Sequence, residues 1–268
     1  MNEPLPFATR LVVFSDLDGT LLDHDGYRWD AAMPALAEMK ARGIPLILAS
    51  SKTGAEIAEL RDQMGFAQCP AIVENGAGIL APYDSGATDN ADHRRIIAAL
   101  DSLPTALRAG FSGFTDWTVS QVAADTGLPE AQAKHARARQ FSEPGHWNGP
   151  PELRDDFLAA LLERGVSARR GGRYLTLSFG ATKASQMANI MANFDPNAAT
   201  MALGDAPNDV EMIEAADIGV IVKNPHGPGI KSLDGEKTGH ITRTDQDGPE
   251  GWDQKVLATI GEVYDRKG

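Results

Sequence analysis

Two aspartates, two residues apart, directly follow an apolar run. Asp16 and Asp18 come after residues 11–14, and Gly19 and Thr20 follow them. A short apolar run is typical of a buried parallel strand. Residues two apart in an extended chain point the same way, so both carboxylates can face one reacting group, and Gly19 lets the chain turn sharply beyond them. Paired carboxylates at a strand end suit nucleophilic and acid–base chemistry.

Two simpler interpretations of this segment exist. Aspartate and glycine also end strands in ordinary turns, without any chemical role. An EF-hand calcium loop is the second alternative, and the sequence excludes it. Such a loop needs an acidic residue at its fifth position and glycine at its sixth, where this chain has Thr20 and Leu21.

A second strand end carries hydroxyl groups. Ser50, Ser51 and Lys52 follow the apolar residues 44–49. A hydroxyl group at this place can donate a hydrogen bond to a phosphoryl oxygen. The alternative is structural, because Ser51 or Thr53 could merely cap the next helix.

Two later segments add a cation and further carboxylates. Lys183 stands at a predicted helix start, where its ammonium group can neutralise an anion. Asp205, Asn208 and Asp209 follow the apolar residues 200–203. Hard oxygen ligands of this kind suit Mg²⁺, although aspartate and asparagine also cap helices.

Hydrophobic patterning predicts an α/β protein with a doubly wound parallel sheet and an inserted smaller α+β domain. Residues 1–83 and 181–268 form the predicted core, and residues 84–180 form the insertion. In the insertion, residues 173–179 alternate like a half-exposed antiparallel strand, whereas the Gly/Pro-rich residues 143–151 are predicted to be a connection. Core strands are predicted at 11–14, 44–49, 71–73, 200–203 and 218–222. Core helices are predicted at 30–42 and 209–215, and beginning at Thr53, at Thr182 and near Trp252.

Composition limits the class of protein. The 268 residues include 25 basic and 37 acidic side chains, for a formal charge of −12. This balance disfavours nucleic acid and anionic membranes as partners, because both need a basic face. No apolar run approaches a membrane span, and the first ten residues do not resemble a signal peptide, so a cytoplasmic location is expected. Cys69 is the single cysteine, expected to be a buried apolar residue rather than part of a disulfide or zinc site.

One glycine pattern imitates a nucleotide-binding motif. Gly76, Gly78 and Ala81 follow a predicted strand and match the dinucleotide fingerprint formally. That fingerprint requires a helix to open at the glycines, but the following residues are few, apolar and ended by Pro82. A hairpin is therefore predicted here. No P-loop sequence is present either.

The four strand-end segments, in this order, resemble the haloacid dehalogenase superfamily of aspartyl phosphatases. The place of the insertion, between the serine and lysine segments, resembles the type 2 cap of the Cof-like sugar phosphatases. The resemblance implies that Asp16 attacks phosphorus and that Asp18 serves as general acid and base. It also implies that Ser50, Ser51 and Lys183 bind the phosphate oxygens.

The same resemblance implies a magnesium cofactor. Mg²⁺ would be held by Asp16, the backbone carbonyl of Asp18, and Asp205. Asn208 and Asp209 would orient Asp205 or the waters on the metal.

Finer stretches resemble the mannosyl-3-phosphoglycerate phosphatases, at residues 50–57, 126–128, 139–144 and 171–175. This implies a small phosphorylated glycosyl-glycerate substrate, with a mannosyl or glucosyl group. Residues 131–173 carry eight basic and five acidic side chains, a cationic island in an anionic chain. The residues implied to bind the substrate are Lys52, Arg139, Glu143 and Arg173. A general sugar-phosphate phosphatase, a phosphomutase and a catalytically inactive phospho-sugar sensor stay open as alternatives, and the oligomeric state is not indicated.

Overall fold

The computed structural model describes residues 9–24, 26–86, 90–171 and 173–265. The strands, numbered along the chain, are β1 Leu11–Ser15, β2 Leu46–Leu48, β3 Ala71–Val73, β4 Gly78–Leu80, β5 Phe111–Gly113, β6 Glu143–Trp147, β7 Ser167–Gly171, β8 Tyr174–Ser178, β9 Ala199–Gly204, β10 Ile218–Lys223 and β11 Ile241–Asp247. The helices are α1 Met33–Arg42, α2 Gly54–Gln63, α3 Ala91–Asp101, α4 Thr105–Arg108, α5 Val119–Thr126, α6 Glu130–Arg137, α7 Arg154–Leu162, α8 Lys183–Met191, α9 Val210–Ala215, α10 Gly235–Thr238 and α11 Gly248–Ile260.

The chain divides into two compact units. Of the described residues, those within 1–50, 60–83 and 182–268 form the first unit, and those within 51–59 and 84–181 form the second. Helix α2 therefore begins in the second unit and ends in the first.

A five-stranded parallel sheet forms the centre of the first unit, in the order β11-β10-β9-β1-β2. All five residues of β1 are buried, as its continuous apolar run requires in a sheet covered on both faces. The backbone N–H of Asp16 donates to the carbonyl of Leu203 at 2.9 Å, so β1 and β9 end side by side. The predicted α/β class is confirmed.

Helices flank this sheet. Helix α1 packs on α11, and α8 packs on α9. Trp252 of α11 is fully buried, and its indole N–H donates to the Ser15 hydroxyl at 2.9 Å, which ties this helix to β1. Cys69 is also buried, as predicted. Within the described residues, no helix has both the length and the apolar character needed to cross a bilayer.

The glycine pattern after β3 forms a hairpin, as predicted. Strands β3 and β4 pair antiparallel, with Ala71 opposite Leu80 and Val73 opposite Gly78. Because no helix opens at these glycines, the segment does not have the structure that dinucleotide binding requires.

The second unit contains a four-stranded antiparallel sheet, in the order β5-β6-β8-β7. Apolar side chains of α3, α7 and the sheet form its main core, which includes Ile96, Phe111, Phe157, Leu175 and Leu177. The alternation predicted for residues 173–179 corresponds to β8.

The prediction of a connection at residues 143–151 is wrong, because residues 143–147 form strand β6. Pro144 is tolerated there because β5 pairs only as far as Gly145, so that β8 is the sole neighbouring strand at the proline. Gly145 lies close to the other strand, since a Cβ atom at this position would lie 2.4 Å from the Ser112 carbonyl oxygen. Pro144 and Gly145 therefore lie within a closely paired strand and not in a turn.

Candidate active site

Three buried carboxylates meet at the carboxyl ends of β1 and β9. Asp16 directly follows β1, Asp205 directly follows β9, and Asp209 lies four residues further on. Each offers an oxygen, and these oxygens all lie within 4.8 Å of one another. Because neighbouring parallel strands end at the same edge of a sheet, side chains from distant parts of the sequence converge here.

Lys183, the first residue of α8, lies between two of these carboxylates. Its Nζ atom donates to Asp16 Oδ1 at 2.7 Å and to Asp209 Oδ1 at 2.6 Å. Only 1% of its side chain is exposed. Burial disfavours the charged amine, but the contacts with Asp16 and Asp209 outweigh burial and raise the pKa of Lys183 above its ordinary value. The lysine is therefore a fixed cation.

One lysine cannot balance three carboxylates. Burial raises the pKa of Asp16 well above its ordinary value, and repulsion from Asp209, Asp205 and Asp18 adds to this effect, while Lys183 opposes it. Burial also raises the pKa of Asp205, although its hydrogen bonds lower it. With all groups ionised, the cluster of three aspartates and Lys183 has two negative charges in excess.

A divalent cation fits this arrangement. It would neutralise the two excess charges, and carboxylate oxygens are the hard ligands that Mg²⁺ takes in proteins. Asp16, Asp205 and Asp209 are the side chains that could hold it. Coordination of the cation by the backbone carbonyl of Asp18 stays a prediction.

Two polar side chains orient Asp205. The Thr20 hydroxyl donates to Oδ1 at 2.9 Å, and the Asn224 amide donates to Oδ2 at 2.7 Å. Gly19 makes room for Asn224, because a Cβ atom at Gly19 would lie 2.1 Å from its Nδ2 atom. Neither Thr20 nor Asn224 was predicted from the sequence to have a role. The only signal was the glycine, whose φ of 81° also favours this residue type.

Asp209 fixes the loop that carries Asp205. While its Oδ1 atom accepts from Lys183, its Oδ2 atom accepts the backbone N–H groups of Asp205 at 3.2 Å and Ala206 at 3.1 Å. Gly204 allows this approach, because a Cβ atom there would lie 2.4 Å from Asp209 Cβ. Asp209 thus joins the lysine to the loop, and it also belongs to the carboxylate group.

The start of α8 is positioned by the loop after β3. The Thr182 hydroxyl caps the helix by accepting the N–H of Ser185 at 3.2 Å. Gly76 packs directly on this first turn, since a Cβ atom there would lie 2.3 Å from the backbone nitrogen of Lys183. The packing of Gly76 against the lysine was not predicted from the sequence.

Of the remaining predicted residues of the first unit, Ser50 and Asn208 contact the loop after β3. Asp18 is half-buried in the turn after β1. Ser50 is buried, and its carbonyl accepts the N–H of Asn75 at 2.9 Å. Asn208 is exposed, and its amide donates to the Asn75 side-chain oxygen at 3.2 Å.

The second unit holds Ser51, Lys52 and the predicted substrate residues. Ser51 is exposed and Lys52 half-buried. Helix α2 is capped by Thr53, whose backbone N–H donates to Glu56 at 2.9 Å, as the capping-box pattern predicts. The Arg139 guanidinium donates to the Ser51 carbonyl at 3.3 Å, which joins the segment before α2 to the segment after α6.

Glu143 and Arg173 both make contacts inside the second unit. Glu143 is 1% exposed and accepts from the Thr115 backbone at 2.7 Å and pairs with His93 Nε2 at 2.8 Å. Arg173 is exposed and donates to the backbone carbonyl of Asp125. The structure therefore shows what holds these side chains, and their part in substrate binding stays a prediction.

Comparison with known proteins agrees with this geometry. The sequence profile of the haloacid dehalogenase-like hydrolase family matches residues 13–112 and 158–234, more than half of the chain. The chain belongs to this family.

Solved structures of similar fold span nearly the whole chain. Sucrose-phosphatase from Synechocystis sp. PCC6803 has a TM-score of 0.57 at 16% identity, covering 95% of this chain and 98% of the other. A phosphatase of the same superfamily from Bacteroides thetaiotaomicron has a TM-score of 0.61 at 19% identity, covering 97% and 98%. A subclass IIB sugar phosphatase has a TM-score of 0.57 at 16% identity, covering 95% and 98%. At these identities the similarity shows the fold.

Proposed function

We propose that this member of the haloacid dehalogenase-like hydrolase family is a phosphatase that hydrolyses phosphate monoesters through a phosphorylated Asp16. The observation that carries the proposal is the buried group of Asp16, Asp205 and Asp209 with Lys183 among them, at the carboxyl ends of β1 and β9. Phosphatase names among the similar structures support the same reaction.

Asp16 would act as the nucleophile. Its Oδ1 atom accepts from Lys183, so its other oxygen attacks phosphorus. A bond forms between Asp16 and phosphorus while the bond to the leaving alkoxide breaks, and Asp18 gives the alkoxide a proton. In the second half-reaction, Asp18 takes a proton from water, the water oxygen attacks phosphorus, and Asp16 leaves as a carboxylate.

Asp16 and Asp205, with the carbonyl of Asp18, would hold Mg²⁺, while Asn208 and Asp209 would orient Asp205 or the waters on the metal. When bound, Mg²⁺ reduces the repulsion between a carboxylate and an anionic phosphate. Lys183 and the serines Ser50 and Ser51 would stabilise the negative charge on the phosphate oxygens that do not react.

The substrate that we propose is a glycosyl-3-phosphoglycerate, carrying a mannosyl or glucosyl group. This compound carries a phosphate, a carboxylate and sugar hydroxyls. Its second anionic group suits the cationic segment at residues 131–173. Lys52, Arg139, Glu143 and Arg173 would bind the glycosyl-glycerate part. A general sugar-phosphate phosphatase or a phosphomutase is the alternative, because a mutase differs only in passing the phosphoryl group to a sugar hydroxyl.

The catalytic proposal is tested by Asp16→Asn, which removes the nucleophile and keeps the side-chain shape. We expect phosphate release from p-nitrophenyl phosphate to fall by about 10⁴-fold or more. Asp62→Asn is the matched control, since Asp62 lies on the exposed face of α2 and should keep full activity. Turnover within tenfold of wild type in Asp16→Asn would contradict the covalent mechanism.

The substrate proposal is tested by kcat/KM across glycosyl-3-phosphoglycerates and simple sugar phosphates. If Arg139 or Arg173 binds the glycerate carboxylate, its substitution by Ala should lower kcat/KM for that substrate by about 10- to 150-fold. Hydrolysis of p-nitrophenyl phosphate should change far less, as it has no carboxylate. An equal loss for both substrates would show that these arginines support the protein structure instead.

A further inference from the structure

A cationic pocket lies at one end of the sheet of the second unit. Its volume is about 340 Å³, within the range of small-molecule sites. Arg154, Arg170 and Arg173 line it, together with Trp147 and Leu175, and none of its described lining residues is acidic. All of these residues belong to the second unit, and none belongs to the carboxylate cluster around Asp16.

Strand pairing explains why the arginines converge. Arg170 on β7 lies opposite Leu175 on β8, and Leu175 lies opposite Gly145 on β6, so these three residues form one row across the sheet. Paired residues share a face, which places Arg170 on the same side as Leu175. Because Gly145 has no side chain, the row is open at its β6 end.

Arg154 and Trp147 complete the walls. Arg154 is the first residue of α7, the helix that packs on this face through Phe157. The Trp147 ring packs against Phe157 with centroids 4.7 Å apart and a 34° angle between the ring planes, and its indole N–H donates to the Pro150 carbonyl at 3.3 Å. The indole is therefore a fixed flat wall beside the guanidinium groups.

Two of the three arginines have their hydrogen-bonding groups available. In the described part of the chain, the guanidinium groups of Arg154 and Arg170 make no hydrogen bond and no ion pair. Arg173 differs, because it donates to the Asp125 backbone carbonyl. Guanidinium groups brought together repel one another unless an anion lies between them, and their planar forks match carboxylate and phosphate geometry.

We propose that this pocket binds a small polyanion bearing carboxylate or phosphate groups, held chiefly by Arg154 and Arg170. The anion could be the acidic part of the substrate or a separate metabolite, and both share the chemistry that the arginines recognise. The site stands independently of the proposed catalysis, since its binding can be measured without turnover.

Citrate is a suitable probe because it carries three carboxylates and no phosphoryl group. We would titrate it by calorimetry into the full-length protein in metal-free buffer at constant ionic strength. Arg154→Ala and Arg170→Ala should each weaken citrate binding by about tenfold or more. Arg169→Ala is the matched control, because Arg169 is the neighbour of Arg170 on β7 but does not line the pocket. It should bind citrate like wild type.

A second variant protects the test against loss of folding. Arg170→Gln keeps most of the side-chain stem and removes the charge, and circular dichroism would verify that each variant is folded. Absence of citrate binding to the wild-type protein, or equal binding by all the variants, would overturn the proposal.

If the pocket variants also raise KM for a glycosyl-3-phosphoglycerate, the anion is part of the substrate. If KM is unchanged while citrate binding weakens, the anion is a separate molecule.

Discussion

Lys183 is the residue on which the charge balance of the site depends. It is buried and makes two hydrogen bonds to carboxylates that come from opposite ends of the sequence. A buried ion pair contributes little net stability when intact, but removing one partner leaves the other charge uncompensated. The lysine is therefore a structural cation as well as a proposed phosphate ligand.

We predict that Lys183→Met lowers the free energy of unfolding by about 3–5 kcal/mol near neutral pH. Asp16 and Asp209 would be left without their cation. The loss should be smaller at acidic pH, because burial raises the pKa of the Asp16 carboxyl and its protonation relieves the repulsion. Urea unfolding at both pH values measures the effect.

Lys231→Met is the control for this substitution, since Lys231 is exposed. It should change the free energy of unfolding by less than about 0.5 kcal/mol. Equal stability of Lys183→Met and wild type at neutral pH would contradict the charge argument.

Cys69 gives a second prediction for a single residue. Burial raises the pKa of its thiol to about 12, although the N–H of Leu46 and the nearby Arg61 lower it. Since the thiolate is the reactive form, native protein should react with iodoacetamide far more slowly than protein unfolded in urea. Mass spectrometry counts the label directly, because the chain has one cysteine. Rapid labelling of the native protein would show that this region opens readily.

At the scale of elements, the α8 start and the loop after β3 act together. Gly76 has a φ of 91° and packs on the backbone of Thr182 and Lys183. Glu74 and Asn75 before it also have positive φ values, of 54° and 60°. Three consecutive left-handed residues are costly for the two that are not glycine, so the loop shape is fixed by its surroundings.

Gly76→Ala should shift the first turn of α8 and therefore the Lys183 ammonium. We expect kcat/KM to fall by about 10²-fold, the scale of effect that a displacement of about 1 Å produces. Gly43→Ala is the matched control, because Gly43 has a φ of 66° with no atom near its Cβ position. The control carries the same backbone penalty of about 1 kcal/mol but should retain activity. Similar kinetics in the two variants would refute the positioning role of Gly76.

Four of the five strands of the parallel sheet, β1, β2, β9 and β10, were predicted from the sequence, whereas β11 was not. Runs such as residues 11–14 are apolar throughout because both faces of the sheet are covered, and this signal needs no knowledge of the partners. Strand β6 was missed, because Pro144 and Gly145 are ordinarily signs of a turn. Proline and glycine can stand in this strand because of where β5 ends, and only the assembled sheet determines that position.

The candidate site divides in the same way. Asp16 and Asp205 could be found because each directly follows an apolar strand. Thr20 and Asn224 could not, because threonine and asparagine are common in turns and their contacts with Asp205 cross long stretches of sequence. Gly76 was noticed, but what it packs against depends on α8, more than a hundred residues away.

At the scale of the whole molecule, the chain carries negative charges that its own basic side chains do not neutralise. The formal charge is −12, and the buried cluster of Asp16, Asp205 and Asp209 with Lys183 adds an excess of two negative charges where solvent cannot screen them. Binding a divalent cation should therefore stabilise the folded chain, and the extent should depend on pH.

We predict that Mg²⁺ raises the melting temperature more at about pH 8 than at about pH 5. The folded-state pKa values of Asp16 and Asp205 are raised, so the folded protein binds protons more tightly than the unfolded chain does. Their contribution to stability is thus present at low pH and is lost as the pH rises through the raised values. Mg²⁺ replaces those protons, so it competes with them at low pH and binds freely at high pH.

At about 100 times its Kd, the cation should contribute about 2.7 kcal/mol. Differential scanning calorimetry with and without Mg²⁺, at matched ionic strength, measures the shift. Asp205→Asn should reduce the shift and Asp62→Asn should preserve it, and an equal shift at both pH values would exclude these carboxylates as the ligands.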